Sequence, residues 1–200
     1  NINKDIKIVE LNQSDGYYKY FYKTDQHWNG YGALKGYQDI MHMMDIEPNN
    51  YEVKKLDDIK IRGSIAKSAG DLSTTEDFYY IDSKLDCNVD IKDRFKPMEV
   101  TKNKDPFYDY YVAFYYSMYG NVSYDCNNPS KDNVLIIGDS YAWSIDYLIA
   151  KHFNKTYLVS LRFLDKFNYN EFIIKNKISK VIVINETQTT LFDAYNYNST

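Results

Sequence analysis

The stretch Val134-Leu135-Ile136-Ile137-Gly138-Asp139-Ser140-Tyr141-Ala142 decides the fold of this chain. Four consecutive apolar residues follow a polar segment and end at a glycine, the pattern of a short strand buried on both faces. A helix-like run over residues 141–153 comes next, then a strand over 156–160 and a helical segment over 171–176. Val181-Ile182-Val183-Ile184 reads as a third buried strand. Strands and helices alternating through short links predict an α/β fold, a mainly parallel sheet flanked by helices. Functional groups in such sheets gather beyond the carboxyl ends of strands, and Ser140 stands just past one.

Upstream, residues 6–11 alternate well enough for a strand and lead to a Ser14-Asp15-Gly16 turn. Residues 17–23 are aromatic and extended in character, and would deliver Asp25 at a strand end. Asn29 is placed to cap a helix over residues 30–44, with Ala33, Leu34, Tyr37, Ile40, Met41 and Met44 on one face. Between residues 47 and 133 the pattern is less regular. Short strands are expected over 51–56, 78–81 and 98–101, and residues 112–118 fit a helix or a strand. No internal repeat or long linker interrupts the chain, so residues 1–200 are read as one domain.

Composition narrows the function. With 44% hydrophobic and 26% charged residues, the chain suits a globular domain able to bury a core. A net charge of −4 gives no electrostatic reason to expect nucleic acid or an anionic membrane as partner. The 22 tyrosines have two readings. A phenol offers a stacking face and a hydrogen-bonding edge suited to sugars; an AT-rich genome raises Tyr together with Asn, Lys and Ile. Cys87 and Cys126 are too few and too far apart for a zinc site, and fit either one disulfide of an exported protein or two thiols. No apolar run reaches the ~18–20 residues of a membrane span. The sequence opens on Asn1-Ile2-Asn3 and is read as a trimmed segment, so a missing leader does not locate the protein.

The chemistry-bearing residues fall in two segments. Ser140 occupies a strand-to-helix turn, where helix N-terminal N–H groups are available to an oxyanion. The competing role for Asp139 or Ser140 is to cap that helix. Lys23-Thr24-Asp25-Gln26-His27-Trp28-Asn29 supplies the other parts. On an extended segment, residues two apart point to the same side, so Asp25 can orient one nitrogen of His27 and leave the other for a serine proton. His42 and His152 sit on helices and read as surface or packing residues. Trp28 is a core anchor or a sugar platform, and Arg162 beyond the strand at 156–160 binds a substrate oxygen or pairs with a carboxylate. Gly70-Asp71 marks a turn. Asp25, Asp71 and Asp139 match no metal-ligand spacing, and no cofactor is expected.

These segments together resemble a known family. Thr24-Asp25-Gln26-His27-Trp28-Asn29 with Gly32-Ala33 and Tyr37 is similar to the Thr-Asp-x-His-Trp segment of the DHHW family. Alginate O-acetyltransferase-type proteins share its SGNH-hydrolase-like fold. Gly63-Ser64 with Ser68-Ala69-Gly70 resembles the family's Gly-Ser/Thr…Ser-Gly stretch. Leu135 to Ala142 resembles its nucleophile segment, and Leu161-Arg162-Phe163 its Asp-Leu-Arg-Tyr run. The resemblance implies a triad of Ser140, His27 and Asp25; Arg162, Trp28 and Tyr141 are the residues expected toward substrate. It implies an extracytoplasmic, anchored or secreted O-acetyltransferase acting on an exported polysaccharide through an acetyl-serine. The acetyl donor would arrive through a membrane O-acyltransferase partner. A carbohydrate O-acetyl esterase with water as acceptor, or a non-catalytic glycan-binding scaffold, are the alternatives. Gln26 replaces the first His of the motif, and Ser160 stands where the family often carries Asp.

Overall fold

A computed structural model of the chain describes residues 6–9, 16–91, 102–115, 119–164 and 167–186. The chain divides into two compact units, Asn1–Ser83 and Lys84–Thr200.

In the first unit, a 3-10 turn at Tyr17–Tyr20 precedes α1 (Gly30–Met43), β1 (Glu52–Ile61), α2 (Ser64–Ala69) and β2 (Glu76–Asp82). Of the extended segment expected over 17–23, the first four residues form this turn instead, and Phe21 is extended. Gly16, at φ 95°, reverses the chain, and its carbonyl accepts the Lys19 N–H at 3.1 Å. Residues 6–9 carry no strand, and residues 10, 11, 14 and 15 lie outside the described set. Asn29 caps α1, its side-chain oxygen accepting the N–H groups of Tyr31 and Gly32 at 3.0 and 3.2 Å. Of the expected α1 face, Ala33, Tyr37, Ile40 and Met41 are buried, while Leu34 and Met44, the latter at the C-cap, are half-buried. Strands β1 and β2 pair antiparallel from Glu52 opposite Asp82 to Ile61 opposite Glu76, with an irregularity between Lys55 and Lys60. That pairing brings the end of β1, where α2 begins, beside the start of β2.

The second unit holds β3 (Asn88–Val89), α3 (Tyr110–Tyr115), β4 (Asn121–Asp125), β5 (Asn133–Gly138), α4 (Asp146–Ala150), β6 (Lys155–Val159), α5 (Tyr169–Lys175) and β7 (Ile178–Ile184). Its sheet runs β3-β4-β6-β5-β7. The expected parallel character holds for β6, β5 and β7, but β4 and β3 join antiparallel, so the sheet is mixed. Strand β4 alternates, burying Val122 and Tyr124 only, as suits an antiparallel strand with one face covered. Val134, Leu135 and Ile136 are fully buried, which stabilises the sheet centre by roughly 1.5–3 kcal/mol per side chain. β7 departs from the expectation of burial on both faces. It is the last strand in the sheet order, and it buries Ile182 and Ile184 while exposing Val181 and Val183.

The long helix expected over 141–153 is broken into a 3-10 turn, Ala142–Ser144, and the short α4. Two polar side chains compete with the helical ladder. Ser144 Oγ donates back to the Tyr141 carbonyl at 3.1 Å, and Asp146 Oδ1 accepts the Tyr147 N–H at 2.7 Å. The region expected as helix or strand over 112–118 is helical through Tyr115; residues 116–118 and the strand expected over 98–101 lie outside the described set.

Cys87 and Cys126 form a disulfide, one step beyond the Asn88–Asp125 pair of the β3–β4 register. Among the described residues, seven tyrosines are buried. Several use the phenol to hold backbone: Tyr37 Oη accepts the Asn49 N–H at 2.8 Å, and Tyr110 Oη accepts the Asn103 N–H at 2.9 Å. These seven serve the cores, while the other described tyrosines are half-buried or exposed. Among the described residues, no helix is long and apolar enough to cross a membrane.

Candidate active site

Asp25 and His27 lie on a loop rather than at a strand end. The loop is closed by a single antiparallel bridge between Phe21 and Trp28, and the Tyr22 N–H donates to the His27 carbonyl at 3.1 Å. The loop nevertheless brings the two side chains together: Asp25 Oδ1 is 2.5 Å from His27 Nδ1 and also accepts the His27 backbone N–H at 3.0 Å. Both side chains are largely buried, 12% and 8% exposed. The second carboxylate oxygen, Oδ2, accepts the Ser64 N–H at 2.9 Å.

Burial by itself pushes the Asp25 carboxyl up. The hydrogen bond and charge of His27, with the backbone donors of His27 and Ser64, outweigh it and hold the carboxyl below its ordinary value. Asp25 is therefore an ionised acceptor, able to fix the imidazole with Nδ1 as donor.

The support for this pair comes from the end of the β1–β2 ribbon. The first N–H groups of α2 have no intrahelical partner. Ser64 gives its own to Asp25, while Ile65 and Ala66 donate to the Thr24 carbonyl at 3.0 and 3.1 Å. Gly63 is required here, since a Cβ at that position would fall on the Asp25 carboxylate. From the neighbouring strand, Glu76 accepts from Lys23 and Thr24. The Ser64 hydroxyl donates to Gln26 Oε1, so Gln26 is engaged beside the same helix start. Trp28 is half-buried with its ring against Gly36 of α1, a packing role.

In the second unit, Ser140 is half-buried in the turn after β5. Asp139 braces this turn: Oδ1 accepts the Tyr141 N–H at 2.9 Å, and Oδ2 accepts the Glu186 N–H at 2.6 Å. The Ala142 N–H donates to the Asp139 carbonyl at 3.1 Å. The N–H groups of Tyr141 and Ala142 are thus engaged within the turn itself. Tyr111 on α3, buried, donates its hydroxyl to the Ser140 carbonyl at 3.0 Å. Gly138 lets the turn close, because a Cβ there would strike Ala142. Tyr141 is half-buried and contributes its backbone to the turn.

Arg162 is exposed in a 3-10 turn after β6, its guanidinium 5.6 Å from the Phe163 ring centroid. His42 is exposed near the end of α1. His152 is half-buried beyond α4, and burial, then Lys131 and Lys151, hold its pKa below the usual value. Asp71 binds Ser73 and Thr74 in a local turn.

Sequence reasoning missed Glu76, Tyr111 and the fully buried Asp146, whose Oδ2 accepts the Tyr124 hydroxyl at 3.0 Å. No local pattern marks any of the three, because each partner is distant in sequence.

No family model matches the chain, and no curated protein does. Solved structures do. A DHHW family protein from Eubacterium siraeum is similar at a TM-score of 0.69 and 18% identity, covering 86% of this chain and 61% of that one. PatB1 of Bacillus cereus, solved with a sulfonyl adduct, is similar at 0.67 and 19% identity, covering 86% and 61%. A further PatB1 structure gives 0.67, 19%, 86% and 63%. The chain thus spans less than two thirds of each of these proteins. The fold resemblance read from the sequence is shown: the chain has the α/β fold found in a DHHW family protein and in PatB1.

Proposed function

We propose that the chain is the acyl-transfer part of an extracytoplasmic O-acetyltransferase that modifies an exported polysaccharide. The observation carrying this reading is the buried Asp25–His27 pair, in which Nδ1 is tied to the carboxylate at 2.5 Å. That arrangement leaves Nε2 as the nitrogen for proton transfer, the role a base needs beside a nucleophilic hydroxyl. Ser140, beyond the carboxyl end of β5, is the hydroxyl assigned to it. Support for a nucleophile comes from PatB1, which shares the fold and has been captured as a sulfonyl adduct; sulfonyl reagents are electrophiles that take nucleophilic side chains. The disulfide agrees with an oxidising compartment outside the cytoplasm.

In the proposed reaction, Ser140 Oγ attacks the acetyl carbonyl carbon while His27 Nε2 takes its proton. The tetrahedral intermediate collapses, the donor's oxygen leaves with that proton, and acetyl-Ser140 remains. A sugar hydroxyl then gives its proton to His27 Nε2 and attacks the acetyl-serine, restoring Ser140. The donor is an acetyl ester delivered by a membrane O-acyltransferase, and Asp25 stabilises the imidazolium in both halves.

The test uses an acetyl ester donor with and without an acceptor oligosaccharide. Acetylated oligosaccharide is expected, with turnover lost by roughly 10⁴-fold or more in Ser140→Ala and in His27→Ala. Full turnover in Ser140→Ala removes the serine assignment. Acetate release with no sugar product, at any acceptor concentration, makes the protein an esterase.

A further inference from the structure

We infer that Glu76 is a positioning residue for the Asp25–His27 pair, an inference that rests on the reading of that pair as orienter and base. The pair sits on a bent loop, residues 23–27, that has no strand ladder of its own. Its placement must come from other contacts, and Glu76 supplies the most concentrated set. Oε2 accepts the Lys23 N–H at 2.9 Å, while Oε1 accepts the Thr24 N–H at 2.6 Å and the Thr24 hydroxyl at 2.7 Å.

These contacts fix the one residue that sets the direction of Asp25. The peptide before Thr24 is held through its N–H by Glu76. The peptide after it is held through its carbonyl by Ile65 and Ala66 of α2. With both flanking peptide planes fixed, the φ and ψ of Thr24 are fixed too, and so is the path on which the chain reaches Asp25. Thr24 is 3% exposed, so water does not offer substitutes for lost partners.

The chemistry requires a carboxylate. Three donors converge on two oxygens, and only an acceptor-only group satisfies all three; an amide would turn an N–H toward another N–H. The charge also shortens and strengthens each bond to roughly twice a neutral one. Glu76 is the first residue of β2, opposite the last residue of β1, which is why strand and helix start reach the same loop from two sides.

The experiment compares wild type, Glu76→Gln and, as a control, Asp77→Asn, whose partner is the surface Lys60. The first readout is the proton resonance of the His27 Nδ1–H, expected downfield through its hydrogen bond to Asp25. The second is kcat and KM for an acetyl ester. Glu76→Gln is expected to shift or broaden the imidazole resonance, and to lower kcat by about 10- to 100-fold with KM changed less than about two-fold. Asp77→Asn leaves both unchanged. A folded Glu76→Gln protein with the wild-type imidazole resonance and kcat overturns the inference. If Glu76→Gln does not fold, Thr24→Val and Thr24→Ser decide it. Loss of the resonance in the first and recovery in the second support the positioning role, and a wild-type resonance in Thr24→Val overturns it. Absence of ester turnover in the wild type defeats the catalytic reading instead, while the imidazole resonance still decides the role of Glu76.

Discussion

Asp139 Oδ2 accepts the backbone N–H of Glu186 at 2.6 Å, so the turn after β5 is fastened to the chain just beyond β7. The same carboxylate accepts the Tyr141 N–H. One side chain, 7% exposed, therefore joins the carboxyl ends of two parallel strands and shapes the turn that carries Ser140.

Asp139→Asn keeps the shape of the side chain but turns an amide N–H toward one of these donors. Stability is expected to fall by about 1.5–3 kcal/mol, the range for a hydrogen bond to a charged group lost in a buried place. Urea midpoints of the two proteins measure this. A midpoint equal to wild type would mean the clamp contributes nothing.

Gly63 and Gly70 flank α2 and have opposite sensitivities. A Cβ at Gly63 meets the Asp25 carboxylate, so Gly63→Ala is expected to displace the acid–base pair and cost about 1–3 kcal/mol, with ester turnover falling sharply. Gly70 has φ 66° and open space around its missing Cβ. Gly70→Ala is expected to cost about 1 kcal/mol of backbone strain and leave turnover near wild type. Equal turnover in both variants would argue against close packing at Asp25.

The hydrogen-bonded Asp25 carboxylate also gives stability a pH dependence. Its pKa is held below the ordinary 3.8, so folding favours the ionised form. The contribution is complete above that ordinary value and disappears as pH falls through the lower folded value. Asp25→Asn has no such contribution. The stability gap between wild type and Asp25→Asn should be at full width well above the ordinary carboxylate value and narrow as pH falls below it, measured by urea melts at each pH. A gap independent of pH would contradict the assigned direction.

The Cys87–Cys126 disulfide closes a separation of 39 residues. Its removal in Cys87→Ser/Cys126→Ser should lower stability by about 2–4 kcal/mol. Thiol titration of the denatured wild type should find no reactive cysteine before reduction and both after it. Two thiols before reduction would show the bridge absent.

The centre of the second sheet was legible because a continuous apolar run has few other uses, and Val134 to Ile136 are buried as that run requires. The α1 cap at Asn29 was legible for the same reason: cap chemistry is local. The antiparallel strand β4 carried an alternating signal in Val122 and Tyr124 that is short and sits between Gly120 and Cys126, and it went unread. The helix after Ser140 was overextended because Ser144 and Asp146 redirect their side chains to nearby backbone, which apolar periodicity does not register. The proximity of Asp25 and His27 was expected from an extended backbone, yet a bent loop produces it. The supporting contacts were illegible, since Glu76 and Thr24 are separated by 52 residues.

Most of the bonds that hold the Asp25 loop are made by main-chain atoms of Lys23, Thr24, Ser64, Ile65 and Ala66. Main-chain donors and acceptors are present whatever the side chain, proline excepted. The loop is therefore tolerant of drift at exposed positions such as Lys23 and Ile65, while Gly63, Thr24 and Glu76 admit little change. A saturation library over residues 23–27, 63–66 and 76 would show substitutions pooled at the first group, with proline alone refused there. The hereditary burden of this loop rests on very few letters, and a search by sequence alone would pass over chains that keep them.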